Sequence, residues 1–236
     1  MKMRAAVLRE SGLPRPYASS RPLNIEEIDL EAPREGEVLI QIKAVGLCHS
    51  DLVAISGERG KPMPIVIGHE AAGVIVDLGK SVDQFQIGDH VVPSYVASCG
   101  QCEMCENGRP ALCEPATLTN AKAVLRDGTT RLKKDGEIIH HHSGVAGFAE
   151  YAVLPKEALV RIDKHIPFEH AALFGCGVVT GVGAVINTAN AREEDSIAVV
   201  GLGGVGLSAL LASIAIGSKK TIAIDLSNEK LNLAHE

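Results

Sequence analysis

A chain of 236 residues with 46% hydrophobic content can fill one large core or two modest ones, as expected of a soluble globular protein. Its 23 basic and 29 acidic residues give a formal charge of -6 with no block of one sign, which argues against nucleic acid as a partner. With no Trp and only 3% aromatic residues, the core is expected to consist of Val, Ile, Leu and Ala, which suits β-sheets and parallel α/β units and argues against lectin-like or base-stacking surfaces.

The first ten residues, MKMRAAVLRE, break into charge after a few apolar positions and lack the hydrophobic region of a secretory signal, so a cytoplasmic protein is expected. Glu37–Val45 alternates, with Val38, Ile40, Ile42 and Ala44 on one side and Gln41 and Lys43 on the other, the pattern of a half-buried strand. Short β-branched runs at 65–67, 73–76, 90–92 and 150–153, each flanked by Gly, Pro or Asp, predict a many-stranded antiparallel barrel or sandwich. The polar, turn-rich segment 117–143, with Asp127-Gly128 and Asp135-Gly136, reads as an excursion from it.

After Pro167 the pattern turns helical over 171–189. A strand at Ser196–Val200, a helix over 203–216, a second strand at 221–224 and a helix capped by Ser227 then predict the opening of a parallel sheet. Residues 196–217 are long enough to cross a bilayer, but their glycines mark a turn between strand and helix, so no membrane span is expected.

The 6 cysteines would suit three disulfides in a secreted protein. Without a signal sequence, metal ligation is the better account. Cys99, Cys102, Cys105 and Cys113 are spaced to close a tetrahedron around one structural zinc. An iron–sulfur cluster is the rival, but ferredoxins place their fourth Cys after three residues with Pro directly behind it; here the gap is longer and Glu114 precedes Pro115. Cys48 and Cys176 are far apart, with Gly68-His69-Glu70 between them after a strand. Two thiolates and one imidazole are the ligand set of a zinc site with an open position. By residue type alone a turn histidine and core-filling cysteines are the commoner alternative. Gly201, Gly203 and Gly206 lie between a strand and a helix, where they permit a tight turn, close approach to a pyrophosphate and helix packing.

The segments Gly46-Leu47-Cys48-His49-Ser50-Asp51 and Gly68-His69-Glu70-Ala71-Ala72-Gly73, the four-cysteine lobe and Gly201-Leu202-Gly203-Gly204-Val205-Gly206 follow one another in the order and spacing of medium-chain, zinc-dependent alcohol dehydrogenases, which the whole chain resembles. The resemblance implies a GroES-like β-barrel catalytic domain over 1–176, with a structural zinc lobe at about 95–115, and a partial, doubly wound Rossmann domain over 177–236 that binds NAD. It implies two Zn2+ per chain, one held by the lobe and a catalytic one by Cys48, His69 and Cys176.

Asp51 looks like the partner that fixes the tautomer of His69, and Glu70 like the carboxylate that approaches the metal during ligand exchange; surface carboxylates are the alternative for both. Ser50 is expected to take the alcohol proton, and His49 to lie near the coenzyme pyrophosphate or end the proton relay, unless it is only an exposed loop residue. Val53 stands where many relatives have a relay histidine.

In the nucleotide-binding part, residues 201–206, including Gly204 and Val205, would cradle the pyrophosphate. Asp225 would hold the adenosine ribose and favour NAD over NADP, and Lys230 resembles a ribose-contacting lysine, with a solvated helix lysine as the alternative. The implied reaction is hydride transfer between a primary alcohol and NAD, or the reverse from an aldehyde. Two alternatives are an S-(hydroxymethyl)glutathione (formaldehyde) dehydrogenase and a non-catalytic zinc-binding interaction protein of the same fold. Full-length relatives are homo-oligomers. Because the chain stops at Glu236 after two predicted parallel strands, it is expected to be a truncated form that binds zinc, lacks normal turnover and tends to associate.

Overall fold

A computed structural model describes residues Met1–Glu236, which pack as two units, Met1–Gly175 and Cys176–Glu236. In the first unit the strands are β1 (Lys2–Leu8), β2 (Leu23–Leu30), β3 (Glu37–Val45), β4 (Ile65–Val66), β5 (Ala71–Leu78), β6 (His90–Pro93), β7 (Leu132–Lys134), β8 (Glu137–His141), β9 (Tyr151–Pro155) and β10 (Leu159–Ile162). A closed barrel runs in the order β1-β2-β7-β8-β4, and a five-stranded sheet in the order β10-β6-β5-β3-β9. Pairing is antiparallel throughout except between β4 and β8.

Strand β3 is less simple than its alternation suggests. Its first four residues are all buried. Leu39 packs with Met3, Val7, Ile28, Leu132, Ile139 and Val153 in one core, whereas Val38 and Ile40 pack with Ala71, Ile75, Val91 and Leu154 in another. Only the half from Gln41 onward, covered on one side, is the half-buried strand expected. A side chain on either face of the first half therefore removes apolar area from water, each fully buried aliphatic contributing about 1.5–3 kcal/mol.

The largest departure from the sequence reading is segment 117–143. It is no excursion: it contributes β7 and β8 to the barrel wall, joined by a turn in which Asp135 and Gly136 both take positive φ (49° and 85°). Charges hide this hairpin in the sequence because they are used on the barrel's outer face. Lys133 pairs with Glu31 at 2.6 Å and Lys134 with Glu26 at 2.8 Å, both on or beside β2, while Leu132 and Ile139 point into the core.

In the second unit, helix Gly177–Gly183 runs into a π-helical turn at Ala184–Thr188. The predicted helix over 171–189 is thus broken: Phe168–Leu173 is a separate helix of the first unit, ending before Gly175. Strands β11 (Ser196–Val200) and β12 (Lys220–Ile224) are parallel, in register from Ser196 opposite Lys220 to Val200 opposite Ile224. Helix Gly204–Ala215 connects them, and helix Asn228–Leu233 follows with the Ser227 hydroxyl accepting the Lys230 amide, as expected for that cap. The apolar run 196–217 is strand, loop and helix, and no helix is long and apolar enough to cross a membrane.

Candidate metal centres and nucleotide loop

The lobe assembles because two short helices begin at its ligands: Cys102 is the N-cap of Glu103–Glu106 and Cys113 that of Glu114–Lys122. The sulfurs of Cys99, Cys102, Cys105 and Cys113 lie within 4.8 Å of one another, and those of Cys99 and Cys105 are 4.0 Å apart. Zinc–sulfur bonds of about 2.3 Å in a tetrahedron put sulfurs about 3.8 Å apart, so this donor set fits zinc closely. Backbone amides of Cys102 and Gln101 donate to the Cys99 sulfur at 3.2 and 3.5 Å, and that of Cys99 to the Cys113 sulfur at 3.2 Å. Led by the Gln101 amide, the Gln101 and Cys102 amides and the neighbouring Cys102 and Cys113 thiols lower the Cys99 thiol to about 6. Loss of water pushes the Cys105 thiol up to about 11.

The second cluster is built around Asp51. Cys48 is the N-cap of helix His49–Ser56, and Asp51, at the third helical position, accepts the Cys48 amide at 3.0 Å through Oδ2. That cap turns the carboxylate inward, where Oδ1 accepts the Gly68 amide at 3.1 Å and lies 3.2 Å from Nδ1 of His69. With Nδ1 held, Nε2 of His69 faces the Ser50 hydroxyl at 3.4 Å, and that hydroxyl donates to the Cys48 sulfur at 3.3 Å. Asp51, His69 and Glu70 are all buried. Burial alone would raise the Asp51 carboxyl, but the close His142 and His69 rings and the Cys48 amide outweigh it, and the group sits well below the usual carboxylate range. Burial also opposes ionisation of Cys48; the Ser50 hydroxyl and amide and the His69 ring prevail and lower its thiol.

Two residues of this cluster escaped the sequence reading. The His142 ring meets His69 edge to face at 5.3 Å, and its Nδ1 is 3.3 Å from Asp51 Oδ1; Tyr95 meets His69 edge to face at 5.9 Å. The run His140-His141-His142 ending a strand was the available signal, masked by the assignment of 117–143 to an excursion. His49 is exposed at the helix start, and Val53 is partly buried on the same helix. A Cβ on Gly175 would press on the Pro93 and Ala172 carbonyls at 3.0 and 3.2 Å, and Cys176 follows it as the N-cap of Gly177–Gly183.

In the second unit Gly201 takes a φ of 92°, Gly203 is the N-cap of the following helix, and Gly204, Val205 and Gly206 form its first turn. A Cβ on Gly206 would collide with the Gly201 carbonyl, so the turn can close only around glycine. Unpaired amides of a helix start form an anion-binding end. Asp225 follows β12. Its Oδ2 accepts the Leu202 amide at 2.7 Å, its Oδ1 the Ser227 amide at 2.9 Å, and Lys230 stands 3.7 Å away.

Residues 34–164 match the alcohol dehydrogenase GroES-like domain family, and the chain belongs to it. Over 237 residues it is 42% identical to an S-(hydroxymethyl)glutathione dehydrogenase of Synechocystis, covering 100% of this chain and 62% of that protein; a relative of the same name in Escherichia coli is 42% identical over 235 residues. Among solved structures, an alcohol dehydrogenase zinc-binding domain protein from Burkholderia ambifaria superposes with a TM-score of 0.92 at 37% identity, over 100% of this chain and 62% of that one. Benzyl alcohol dehydrogenase from Acinetobacter calcoaceticus gives 0.89 at 34% identity, over 100% and 61%. The chain thus spans about 62% of the length of the curated relatives it matches. The expected fold, a GroES-like barrel followed by the parallel strands of a Rossmann sheet, holds.

Proposed function

We propose that this chain carries the catalytic zinc domain and the coenzyme loop of an oxidoreductase that moves hydride between a primary alcohol and NAD. The catalytic domain is 1–176 with its zinc lobe at about 95–115, and 177–236 belongs to the NAD-binding domain. The observation that carries the reading is the convergence of Cys48 Sγ, His69 Nε2 and Ser50 Oγ above a carboxylate that orients the imidazole.

Cys48, His69 and Cys176 would hold the catalytic zinc, and Cys99, Cys102, Cys105 and Cys113 the structural one. A zinc ion with an open position supplies Lewis acidity to the substrate oxygen. Asp51 fixes His69 with Nδ1 protonated, leaving the Nε2 lone pair for ligation. Ser50, with its hydroxyl beside two of the ligand atoms, would accept the alcohol proton at Oγ while releasing its own hydroxyl proton toward solvent. Val53 cannot pass that proton on, so it leaves by a route that ends at solvent-exposed groups such as His49. Glu70 is the carboxylate placed to assist ligand exchange. In the loop 201–206, the amides at the helix start, from Gly203 to Gly206, receive the pyrophosphate, while those of Gly201 and Leu202 are held by Ile224 and Asp225; Asp225 receives the ribose, with Lys230 beside it.

The second reading, an S-(hydroxymethyl)glutathione dehydrogenase, is favoured by the name shared by two relatives at 42% identity. NADH production from benzyl alcohol, other primary alcohols and S-(hydroxymethyl)glutathione separates the two. Zinc and NAD binding with no turnover of any of them, in a chain extended to the relatives' length, would instead favour a binding protein of this fold.

A further inference from the structure

Asp51 Oδ1 is an oxygen with an unusual load. The Gly68 amide donates to it, Nδ1 of His69 lies 3.2 Å from it, and Nδ1 of a second imidazole, His142, lies 3.3 Å from it. His142 is 5% exposed and its Nδ1 is buried without an aligned hydrogen-bond partner. Were that nitrogen unprotonated, its lone pair would face an anionic oxygen across 3.3 Å, a repulsion with no compensation in a buried site. Were it protonated, a small rotation of the ring would give a charge-assisted hydrogen bond. The ring cannot move far, because it abuts the His69 ring at 83° and 5.3 Å.

Resting on the zinc reading above, we propose that His142 is a positioning residue for His69: held as the Nδ1–H tautomer by the oxygen that also holds His69, it fixes the carboxylate and buttresses the ligating ring. Two imidazoles on one carboxylate oxygen are mutually dependent. Removing the His142 donor lets Asp51 turn, and His69 with it, so its Nε2 loses its aim. Besides His69 itself, His142 is the side chain placed on Oδ1, which otherwise accepts only the Gly68 amide, and the second oxygen is committed to the Cys48 amide.

The test uses the 236-residue chain and three preparations: unmodified, His142→Phe, which keeps a ring without the donor, and His142→Asn, whose amide N–H can stand where Nδ1–H stood. Zinc is titrated away with a chromogenic chelator, the four-cysteine site serving as an internal control for folding. The expected result is that His142→Phe releases the Cys48/His69 zinc at least roughly tenfold more readily, the usual scale for loss of an outer partner of a ligating histidine. His142→Asn recovers most of the difference, and the lobe zinc is unchanged in both. In parallel, two-bond 1H–15N correlations of the unmodified protein should report the Nδ1–H tautomer for His142. An Nε2–H tautomer, or a His142→Phe variant that keeps the second zinc as tightly as the unmodified chain, overturns the proposal. An unmodified chain that holds only the lobe zinc refutes the zinc reading instead, and the tautomer measurement still decides the role of His142.

Discussion

Asp225 is tied to Leu202 across the glycine turn, its Oδ2 accepting the Leu202 amide at 2.7 Å. Asp225 directly follows β12 and Leu202 lies in the loop after β11, so the carboxylate expected at the coenzyme ribose also clamps the loop expected at the pyrophosphate. Its two amide bonds leave further acceptor positions on the carboxylate open. Replacing Asp225 by Ala removes these loop bonds and, on the coenzyme reading proposed above, is expected to remove ribose recognition as well. NADH binding, followed by its fluorescence, is expected to weaken at least roughly tenfold, on the scale of one charge-assisted hydrogen bond, and NADPH to weaken less, since a repelling charge is lost. Equal affinity of the unmodified chain for both coenzymes would remove Asp225 from the ribose role.

Metal content tests the division of the cysteines. The unmodified chain is expected to bind two zinc ions, Cys48→Ser one, retained in the lobe. Cys102→Ser should lose the lobe zinc and unfold at a lower denaturant concentration, because structural zinc binding is coupled to folding. If the zinc that survives Cys48→Ser also survives Cys102→Ser, the assignment fails.

His141 predicts an acid limb of stability. It is fully buried, accepts the Arg131 amide at Nε2 (3.1 Å), and burial reinforced by the Arg131 charge pushes its imidazole down to about 3. The unfolded chain takes up this proton near the ordinary value of about 6.5; the folded one refuses it until about pH 3. The contribution is complete above the unfolded value and is lost as pH falls through that window, at up to about 1.4 kcal/mol per pH unit. His141→Gln keeps an acceptor but does not titrate. Urea unfolding between pH 6.5 and 4.5 should show a shallower pH slope for this variant; an unchanged slope would mean that His141 is protonated in the folded protein.

Gly206→Ala puts a methyl group against the Gly201 carbonyl, and neither backbone can yield without opening the turn. A loss of about 1–3 kcal/mol in stability of the second unit is expected, as for an overpacked core site, together with loss of coenzyme binding. Crystallography or amide exchange of residues 201–206 would show whether the loop has moved.

The sequence was most legible where one physical pattern acted alone. Strand Ser196–Val200, the Ser227 cap and the cysteine spacing each follow from local rules, and the structure has them where expected. It was less legible where long-range pairing decided. Lys133, Lys134 and Glu137 look like solvated turn residues until Glu31, Glu26 and Arg9 are brought opposite them. β1 carries plain alternation at Met3, Ala5 and Val7, but its meaning depends on partners such as Val66 and Ile139 that are distant in the chain. The run His140-His141-His142 could flag His142 but not its partner, because its relation to Asp51 is created by the barrel that carries it.

The way the barrel closes has a consequence during synthesis. β1 needs β2 on one side and β4 on the other, β4 needs β8, and the amides of Ala6 and Arg4 are met by the Phe148 carbonyl and the Glu150 carboxylate. At about 5–20 residues per second, the ribosome delivers Glu150 roughly 7–30 s after β1 has been made. For that interval the nascent β1–β2 pair has two open edges and an apolar face of Met3, Ala5 and Val7 with nothing to cover it, so β1 is made well before it is secured. Slowing translation across 100–150 should lengthen this exposure and raise dependence on holding chaperones, while leaving the stability of the finished protein untouched.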